Sequence, residues 1–178
     1  MTEEKKDRWL SYLAMTTVIL AVCATLSTFK GGSYSTRSVI SQAQASDQWS
    51  YFQAKNIREN LYLLQKEKLQ LEMDLLPLGS NQKVRERYQT AITAADTKDK
   101  KYEKEKSEIQ LEAKRLENQR DEAQRHAKPF GLAVIFLQVA ILISSIAGLL
   151  KRKEIWYLAL PLGILGIIYF ADGFFLFL

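Results

Sequence analysis

The sequence contains very few of the residues from which small proteins build disulfides, zinc sites and histidine chemistry. It has one cysteine, one histidine and three prolines among 178 residues. A single cysteine cannot close an internal disulfide, and a single histidine, His126, excludes a histidine-based metal cluster. The patterns GxGxxG, GxSxG and HExxH and the P-loop do not occur either. We therefore predict that the protein is not an enzyme and binds no cofactor or metal.

Charged residues are absent from two long stretches and nearly absent from a third. Residues 9–29 and 130–150 carry no formal charge, and residues 155–178 carry one acid, Asp172. A helix of about 20 apolar residues is long enough to cross the hydrocarbon core of a bilayer. The sequence therefore predicts an all-α membrane protein with three transmembrane helices, at 9–29, 130–150 and 155–178.

The first apolar run has two alternative interpretations. A cleaved signal peptide has a shorter apolar region and a small-residue cleavage site, and the closing LSTFKGG offers no such site. The LAVC sequence that ends at Cys23 resembles a lipoprotein signal, but that signal needs a small residue where this chain has Val22. We therefore interpret 9–29 as a retained span, with Cys23 as a small apolar residue inside it.

Basic residues at the ends of the spans predict their orientation. The tail at 1–8 contains Lys5, Lys6 and Arg8, and KRKE at 151–154 joins the second and third spans. Three spans place these two segments on the same side, and positive charge favours the cytoplasm. Basic residues also flank the region between the first two spans, but long loops influence orientation less. We predict a cytoplasmic tail at 1–8, a cytoplasmic loop at 151–154 and an extramembrane region at 30–129.

The extramembrane region contains one strong break, LLPLGSN at 75–81. Pro77 lacks a backbone N–H and Gly79 permits positive φ, so we predict a turn at 77–80 between two helices. On both sides of this turn, residues recur at alternating spacings of four and three, the 3.5-residue period of a coiled coil. The predicted heptad positions are Ile40, Ala43, Asp47, Ser50, Ala54, Ile57, Leu61, Leu64, Lys68, Leu71 and Leu75 in the first arm, and Val84, Tyr88, Ala91, Ala95, Lys98, Tyr102, Glu105, Ile109, Glu112, Leu116, Gln119, Ala123 and His126 in the second.

The two arms have nearly equal lengths, which favours a long antiparallel coiled-coil hairpin between the first and second spans. Facing positions should then add to about 157, which places Trp49 and Phe52 near residues 102–109. Adjacent side chains on a helix point about 100° apart, so at least one aromatic of the segment 49–52 faces outward. It either contacts another copy or another protein, or lies along its own arm with its polar edge in water. The predicted interaction residues are Trp49, Tyr51, Phe52, Tyr62, Tyr88 and Tyr102.

Small and polar residues inside the spans predict helix packing. Ala159, Gly163 and Gly166 have the spacing of small-residue contacts between membrane helices. Gly148 is a small residue that we expect at a helix contact of the second span. Gln138 and Asp172 are the polar residues of the second and third spans that we single out. An ionisable residue within a span suggests function, but Asp172 lies near the far interface, which favours a structural or solvated role.

The net charge of +5 does not indicate nucleic-acid binding. The basic residues alternate with acids at spacings that favour ion pairs along exposed helices, and they form no separate basic patch.

Several segments together resemble a family of small bacterial membrane proteins, the domain of unknown function 4337. They are QASDQWSYFQAKNIRENLY at 44–62, YEKEKSEIQLEAKRLENQRDEAQRH at 102–126, KRKEIWYLALPLGILG at 151–166 and ADGFF at 171–175. The resemblance implies a bacterial inner membrane and this same order of span, helical loop, span and span. Together with the orientation predicted from the basic residues, an inner membrane places the hairpin in the periplasm. It implies no reaction, cofactor or catalytic residue.

These patterns predict a non-enzymatic structural or scaffold protein that forms homo-oligomers in the lipid bilayer and projects helical hairpins from it. The alternative is an accessory subunit of a larger membrane complex or a small channel-like component, with another membrane protein as partner and a role for Asp172.

Overall fold

The computed structural model describes residues 3–77 and 81–178, with side chains from residue 8 onward. All regular structure in these ranges is α-helical: α1 is Glu3–Asp74, α2 is Gln82–Leu150 and α3 is Lys153–Phe175. Each of the three helices contains a segment long and apolar enough to cross a membrane. The prediction of an all-α chain with three such helices is confirmed.

The first two helices are much longer than a membrane span. α1 has 72 residues and α2 has 69, so each joins an apolar segment to a charged one without interruption. Pro129 lies inside α2, where its missing N–H leaves the carbonyl four residues earlier without its usual helical donor. Of the predicted turn at 77–80, only Pro77 belongs to the described residues.

The link between α2 and α3 is a tight helix end followed at once by a new helix. Lys151 has a φ of 53°, and its N–H donates to the Gly148 carbonyl at 3.3 Å. The N–H of Arg152 donates to the Ala147 carbonyl at 3.1 Å, which completes a Schellman motif. Two exposed residues, Lys151 and Arg152, therefore connect the apolar end of α2 to α3.

The chain divides into two compact units. One, the apolar unit, comprises the chain up to Ile40 together with Gln119–Leu178, and the other, the polar unit, is Ser41–Asn118. In the apolar unit, α2 presents a buried row of mostly small side chains at alternating spacings of four and three. These residues, all at most 1% exposed, are Ala133, Leu137, Ala140, Ser144 and Ala147. Leu20 and Ala24 of α1 join this row in a core.

The polar unit buries few large apolar side chains. Its buried residues are Ser41, Ala45 and Lys55 from α1 and Ile92, Ala95, Ile109, Ala113 and Leu116 from α2.

The predicted heptad positions of the first arm are not the buried ones. All eleven, from Ile40 to Leu75, are exposed. Most buried or half-buried positions of the first arm keep the 3.5-residue period but lie on a different face: Ser41, Ala45, Gln48, Phe52, Lys55, Glu59, Tyr62, Lys66, Leu69, Met73 and Leu76. Trp49, Asn56 and Glu72 are also half-buried and lie beside this face. The prediction chose the more apolar of two periodic faces, whereas the structure buries a face that contains two lysines, a tyrosine and a glutamate.

In the second arm, eleven of the thirteen predicted positions are buried or half-buried, and Val84 and Lys98 are exposed. Ala95, Ile109 and Leu116 are buried and Tyr102 is half-buried. The intervening buried residue is Ala113, one position beyond the predicted Glu112. Glu112 is itself half-buried, and Ala113 points about 100° away from it around α2.

Candidate functional site

The aromatic segment of α1 makes contacts within its own chain. The Trp49 indole Nε1–H donates to Glu117 Oε1 on α2 at 2.8 Å, and its ring lies edge-on against Phe52, with ring centres 5.4 Å apart. Both aromatic side chains are half-buried. Trp49 was expected opposite residues 102–109, and its contact with Glu117 shows that this position was wrong. Phe52 does contact that range, because the Lys106 ammonium lies 5.9 Å from its ring centre.

A second aromatic contact connects α1 and α2 further along. Tyr62 and Tyr102 stack with ring centres 5.6 Å apart and an angle of 20° between their planes. The Lys55 ammonium lies 5.2 Å from the Tyr102 ring centre and 5.1 Å from that of Tyr51. Tyr51 itself is 51% exposed, so it is the outward aromatic of the segment. Tyr88 is half-buried and lies fourteen residues, or about 21 Å along α2, before Tyr102.

Three ion pairs connect α1 to α2 alongside these rings. Lys55 Nζ lies 2.5 Å from Glu105 Oε2, and Lys66 Nζ lies 2.5 Å from Asp96 Oδ1. Lys106 pairs with Glu59 and also donates to Asn56 Oδ1 at 3.2 Å. The positions in these ion pairs, in the Trp49–Glu117 hydrogen bond and in the Tyr62–Tyr102 stack add to between 160 and 166, above the expected 157. The contacts of Phe52 with Lys106 and of Lys55 with Tyr102 add to 158 and 157, as expected. Most contact positions on α2 therefore lie several residues further along the chain than equal arm lengths suggested.

Ion pairing shifts the pKa values of Lys55, Glu105 and Asp96. The hydrogen bond to Glu105 raises the pKa of Lys55, and the hydrogen bond from Lys55 lowers the pKa of Glu105. Asp96 lies between two lysines, Lys100 on its own helix and Lys66 on α1, and they lower its pKa to about 2. Lys55, Glu105 and Asp96 therefore remain charged at neutral pH and act as fixed charges between the helices.

Sequence reasoning missed these interhelical pairs. It assigned the charges of the second arm to ion pairs along one helix, and such pairs do exist, for example Lys100 with Asp96 at 2.7 Å. The buried Lys55 was not singled out at all, although it lies on the periodic buried face of α1. A search for opposite charges at positions with a constant sum would have found it together with Glu105.

The small residues of α3 lie against large side chains of the neighbouring helices. A Cβ atom added to Gly166 would lie 2.6 Å from Leu137 Cγ, and one added to Gly163 would lie 3.1 Å from a methyl carbon of Leu20. Ala159 is buried as well. Gly148 of α2 has more room, since its added Cβ would lie 3.6 Å from Leu13.

The two polar residues singled out in the spans lie in different surroundings. Asp172 is 4% exposed, and its Oδ1 accepts hydrogen bonds from the N–H groups of Phe177 and Leu178, at 2.8 and 2.9 Å. Its carboxylate therefore holds the two residues after the C-cap Leu176 against the end of α3. Gln138, by contrast, is exposed on α2 close to the middle of the apolar run 130–150.

An aromatic cluster surrounds the end of α3. His126 Nδ1–H donates to the Gly173 carbonyl at 2.7 Å, and its ring stacks on Tyr34 with centres 4.7 Å apart. Phe130 is fully buried, contacts Tyr34 and Phe174, and would lie 2.8 Å from a Cβ added to Gly173. The cluster joins α1, α2 and α3 within the apolar unit.

A cavity of about 210 Å³ also lies within the apolar unit, lined by residues that include Thr16, Leu20, Ser144, Ala159 and Gly163. The Ser144 hydroxyl is buried and has no hydrogen-bond partner within the described part of the chain. The described residues contain no group of three or more His, Cys, Asp or Glu side chains placed to hold a metal ion. The candidate sites therefore consist of ion pairs, stacked aromatic rings and closely packed helices.

The family model for a domain of unknown function, DUF4337, matches residues 9–176. The match covers nearly the whole chain and confirms the resemblance seen in its aromatic segment and closing spans. No curated protein and no solved structure matches significantly.

Proposed function

The chain belongs to the DUF4337 family, and we propose that it is a non-enzymatic structural protein of the bacterial inner membrane. Its three apolar segments cross the bilayer, copies assemble with one another, and α1 and α2 extend from the membrane as an antiparallel coiled-coil hairpin. The N-terminus is cytoplasmic and the hairpin is periplasmic.

The hairpin is supported by the contacts of the polar unit. Partner positions decrease along α2 as they increase along α1, from Trp49 with Glu117 to Lys66 with Asp96. This order is that of two helices lying side by side in opposite directions. The buried positions of both helices follow a period of 3.5 residues, which is the repeat of a coiled coil.

Self-assembly in the membrane is supported by one observation above all, the exposed Gln138. An amide that faces hydrocarbon without a hydrogen-bond partner is unfavourable, and amides of neighbouring membrane helices satisfy one another. Gln138 lies near the middle of the apolar segment of α2, where no water would reach it in a single copy. Pairing with the same residue of a second copy removes that cost.

Native mass spectrometry of the full chain, extracted gently from its own membrane, tests this proposal. We expect a defined homo-oligomer for the parent protein and a smaller oligomeric fraction for Gln138→Leu, which keeps the side-chain size but removes the amide. Val139→Leu is the matched control, because Val139 is the exposed apolar neighbour and offers no hydrogen bond. A parent protein that is entirely monomeric would contradict the proposal.

The exposed amide of Gln138 also fits the span of a different membrane protein. The second candidate function is therefore an accessory subunit of a larger membrane complex. Stoichiometric co-purification of another membrane protein, lost in Gln138→Leu and retained in Val139→Leu, would favour this alternative over a scaffold of identical copies.

A further inference from the structure

The first arm carries an exposed apolar stripe on the face turned away from its contacts with α2. We call it the outer stripe and define it as Ile57, Leu61, Leu64, Lys68, Leu71 and Leu75. Its five apolar members are between 60% and 83% exposed. A patch of this kind, extending about 27 Å along one helix, is unusual on a surface that faces only water.

The spacing of the outer stripe indicates a helical partner. Its members alternate at spacings of four and three, the same 3.5-residue period that the buried face of α1 shows. Such a repeat keeps an apolar row facing a neighbouring helix as the two wind around each other. The buried face of α1 already uses one such repeat against α2, so the outer stripe is a second, unoccupied one.

The outer face of α2 cannot complement this stripe. In the described part of α2 within the polar unit, the large apolar side chains that are exposed are Val84, at 37%, and Leu111, at 70%. They are 27 positions apart and form no row. A contact between the outer stripe of one copy and α2 of the next is therefore unfavourable, whereas two outer stripes match each other, as in a two-fold symmetric interface.

From this self-complementarity we infer that the outer stripe is the surface at which two copies of the chain pair, α1 against α1, with the helices parallel and in register. The inference rests on the proposed function, because copies whose spans share one bilayer start their α1 helices from the same side. In a parallel pair, each stripe residue faces its own counterpart in the second copy.

The single charged member of the stripe fits the same arrangement. Lys68 is flanked along the chain by Glu67 and Glu72, and in an in-register pair a lysine at this heptad position comes close to the glutamate that precedes it in the other copy. Among the described residues, the ion pair of Lys68 is an exposed one with Glu72 at 3.8 Å. Lys68 can therefore exchange this pair for one across the interface without losing a buried contact.

Cysteine cross-linking in native membranes tests the pairing. In a Cys23→Ala background, Leu64→Cys should form a covalent dimer under mild oxidation, while Leu111→Cys, an equally exposed leucine on α2, should not. Co-expressed Leu61→Cys and Leu71→Cys chains test the direction, because these positions are about 15 Å apart along parallel, in-register helices. A disulfide between them would overturn the parallel arrangement.

A charge substitution provides an independent measurement. Leu64→Asp should raise the dissociation constant of the dimer by roughly tenfold or more, because it places two carboxylates opposite each other in an apolar interface. Leu111→Asp should leave it unchanged. Both leucines are exposed, so circular dichroism should show the same helix content in both variants and in the parent.

The outcomes separate this inference from the proposed function. An oligomeric parent that is unaffected by Leu64→Asp and gives no Leu64→Cys dimer overturns the inference and leaves assembly through the spans standing. The inference is also overturned if Leu64→Cys cross-links to a different protein. It is overturned as well if the bilayer surface covers the Leu64→Cys side chain. A parent that is monomeric overturns both.

Discussion

Lys55 is a buried charged residue of the polar unit and connects α1 to α2. Its side chain is buried, its ammonium pairs with Glu105, and the rings of Tyr51 and Tyr102 lie close to the charge. A buried lysine is tolerated when a carboxylate and aromatic faces replace its water. Sequence patterns that score apolar side chains cannot find such a position.

Asp96 leads to a prediction about acid stability. Its pKa is lowered from 3.8 to about 2, first by Lys100 and then by Lys66. The folded chain therefore binds a proton at Asp96 less readily than the unfolded chain. Its contribution to stability is complete above pH 3.8 and is lost as the pH falls through about 2.

We expect Asp96→Asn to reduce the slope of unfolding free energy against pH in this acid range, measured by denaturant unfolding of the full chain in detergent. Lys66→Met should reduce it in the same direction by removing one of the two cations. If unfolding free energy depended on pH equally in Asp96→Asn and in the parent, Asp96 would not form its ion pairs with Lys66 and Lys100 in solution.

Asp172 gives a second prediction at the residue scale. Its Oδ1 accepts two backbone N–H groups at the end of α3. Asp172→Ala removes both hydrogen bonds and should lower thermal stability by about 1–3 kcal/mol, whereas Asp172→Asn keeps an acceptor oxygen and should cost less. If Asn proved as damaging as Ala, the charge of Asp172, and not only its acceptor oxygen, would be required for stability.

At the scale of helices, packing in the apolar unit is close enough at some positions that only glycine fits there. Gly166 lies against Leu137, so that an added Cβ would come within 2.6 Å of its Cγ and 3.1 Å of its backbone N. The neighbouring backbone of α2 would have to move to admit a methyl group. Gly148, with 3.6 Å to Leu13, has ordinary van der Waals space.

We therefore expect opposite effects from the same substitution at these two glycines. Gly166→Ala should destabilise the helix packing by about 1–3 kcal/mol through overpacking. Gly148→Ala should be neutral or stabilising by up to about 1 kcal/mol, because alanine favours helix. Thermal unfolding in detergent, followed by circular dichroism, measures both. Equal losses in both variants would contradict the assignment of Gly166 as the site of close approach.

At the scale of the whole molecule, the proposed orientation predicts which segments are accessible from outside the cytoplasm. In a Cys23→Ala background, a membrane-impermeant thiol reagent applied to the periplasmic side should label Ser80→Cys and leave Glu154→Cys unlabelled. The reason is the basic tail and the KRKE loop at 151–154, which favour the cytoplasmic side.

Permeabilised cells provide the control, because both cysteines should then react. Labelling of Glu154→Cys in intact cells, with protection of Ser80→Cys, would reverse the orientation. The hairpin would then be cytoplasmic, and the outer stripe would face partners in that compartment.

The three apolar runs could be predicted from the sequence because length and lack of charge are local properties. The helices between them could be predicted for the same reason, since a 3.5-residue repeat is recognised without information about distant residues. The family likewise followed from contiguous segments, and the match over residues 9–176 confirms it.

Only the tertiary structure decided which of two periodic faces of α1 is buried. Ile57, Leu61 and Leu64 are the more apolar choice, yet they are exposed, while Lys55, Tyr62 and Lys66 lie toward α2. The physical reason is that a charged side chain can be buried when its counter-charge arrives from another helix, as Glu105 and Asp96 do here. Hydrophobicity along one chain segment does not contain that information, because the compensating charges are 50 and 30 residues away.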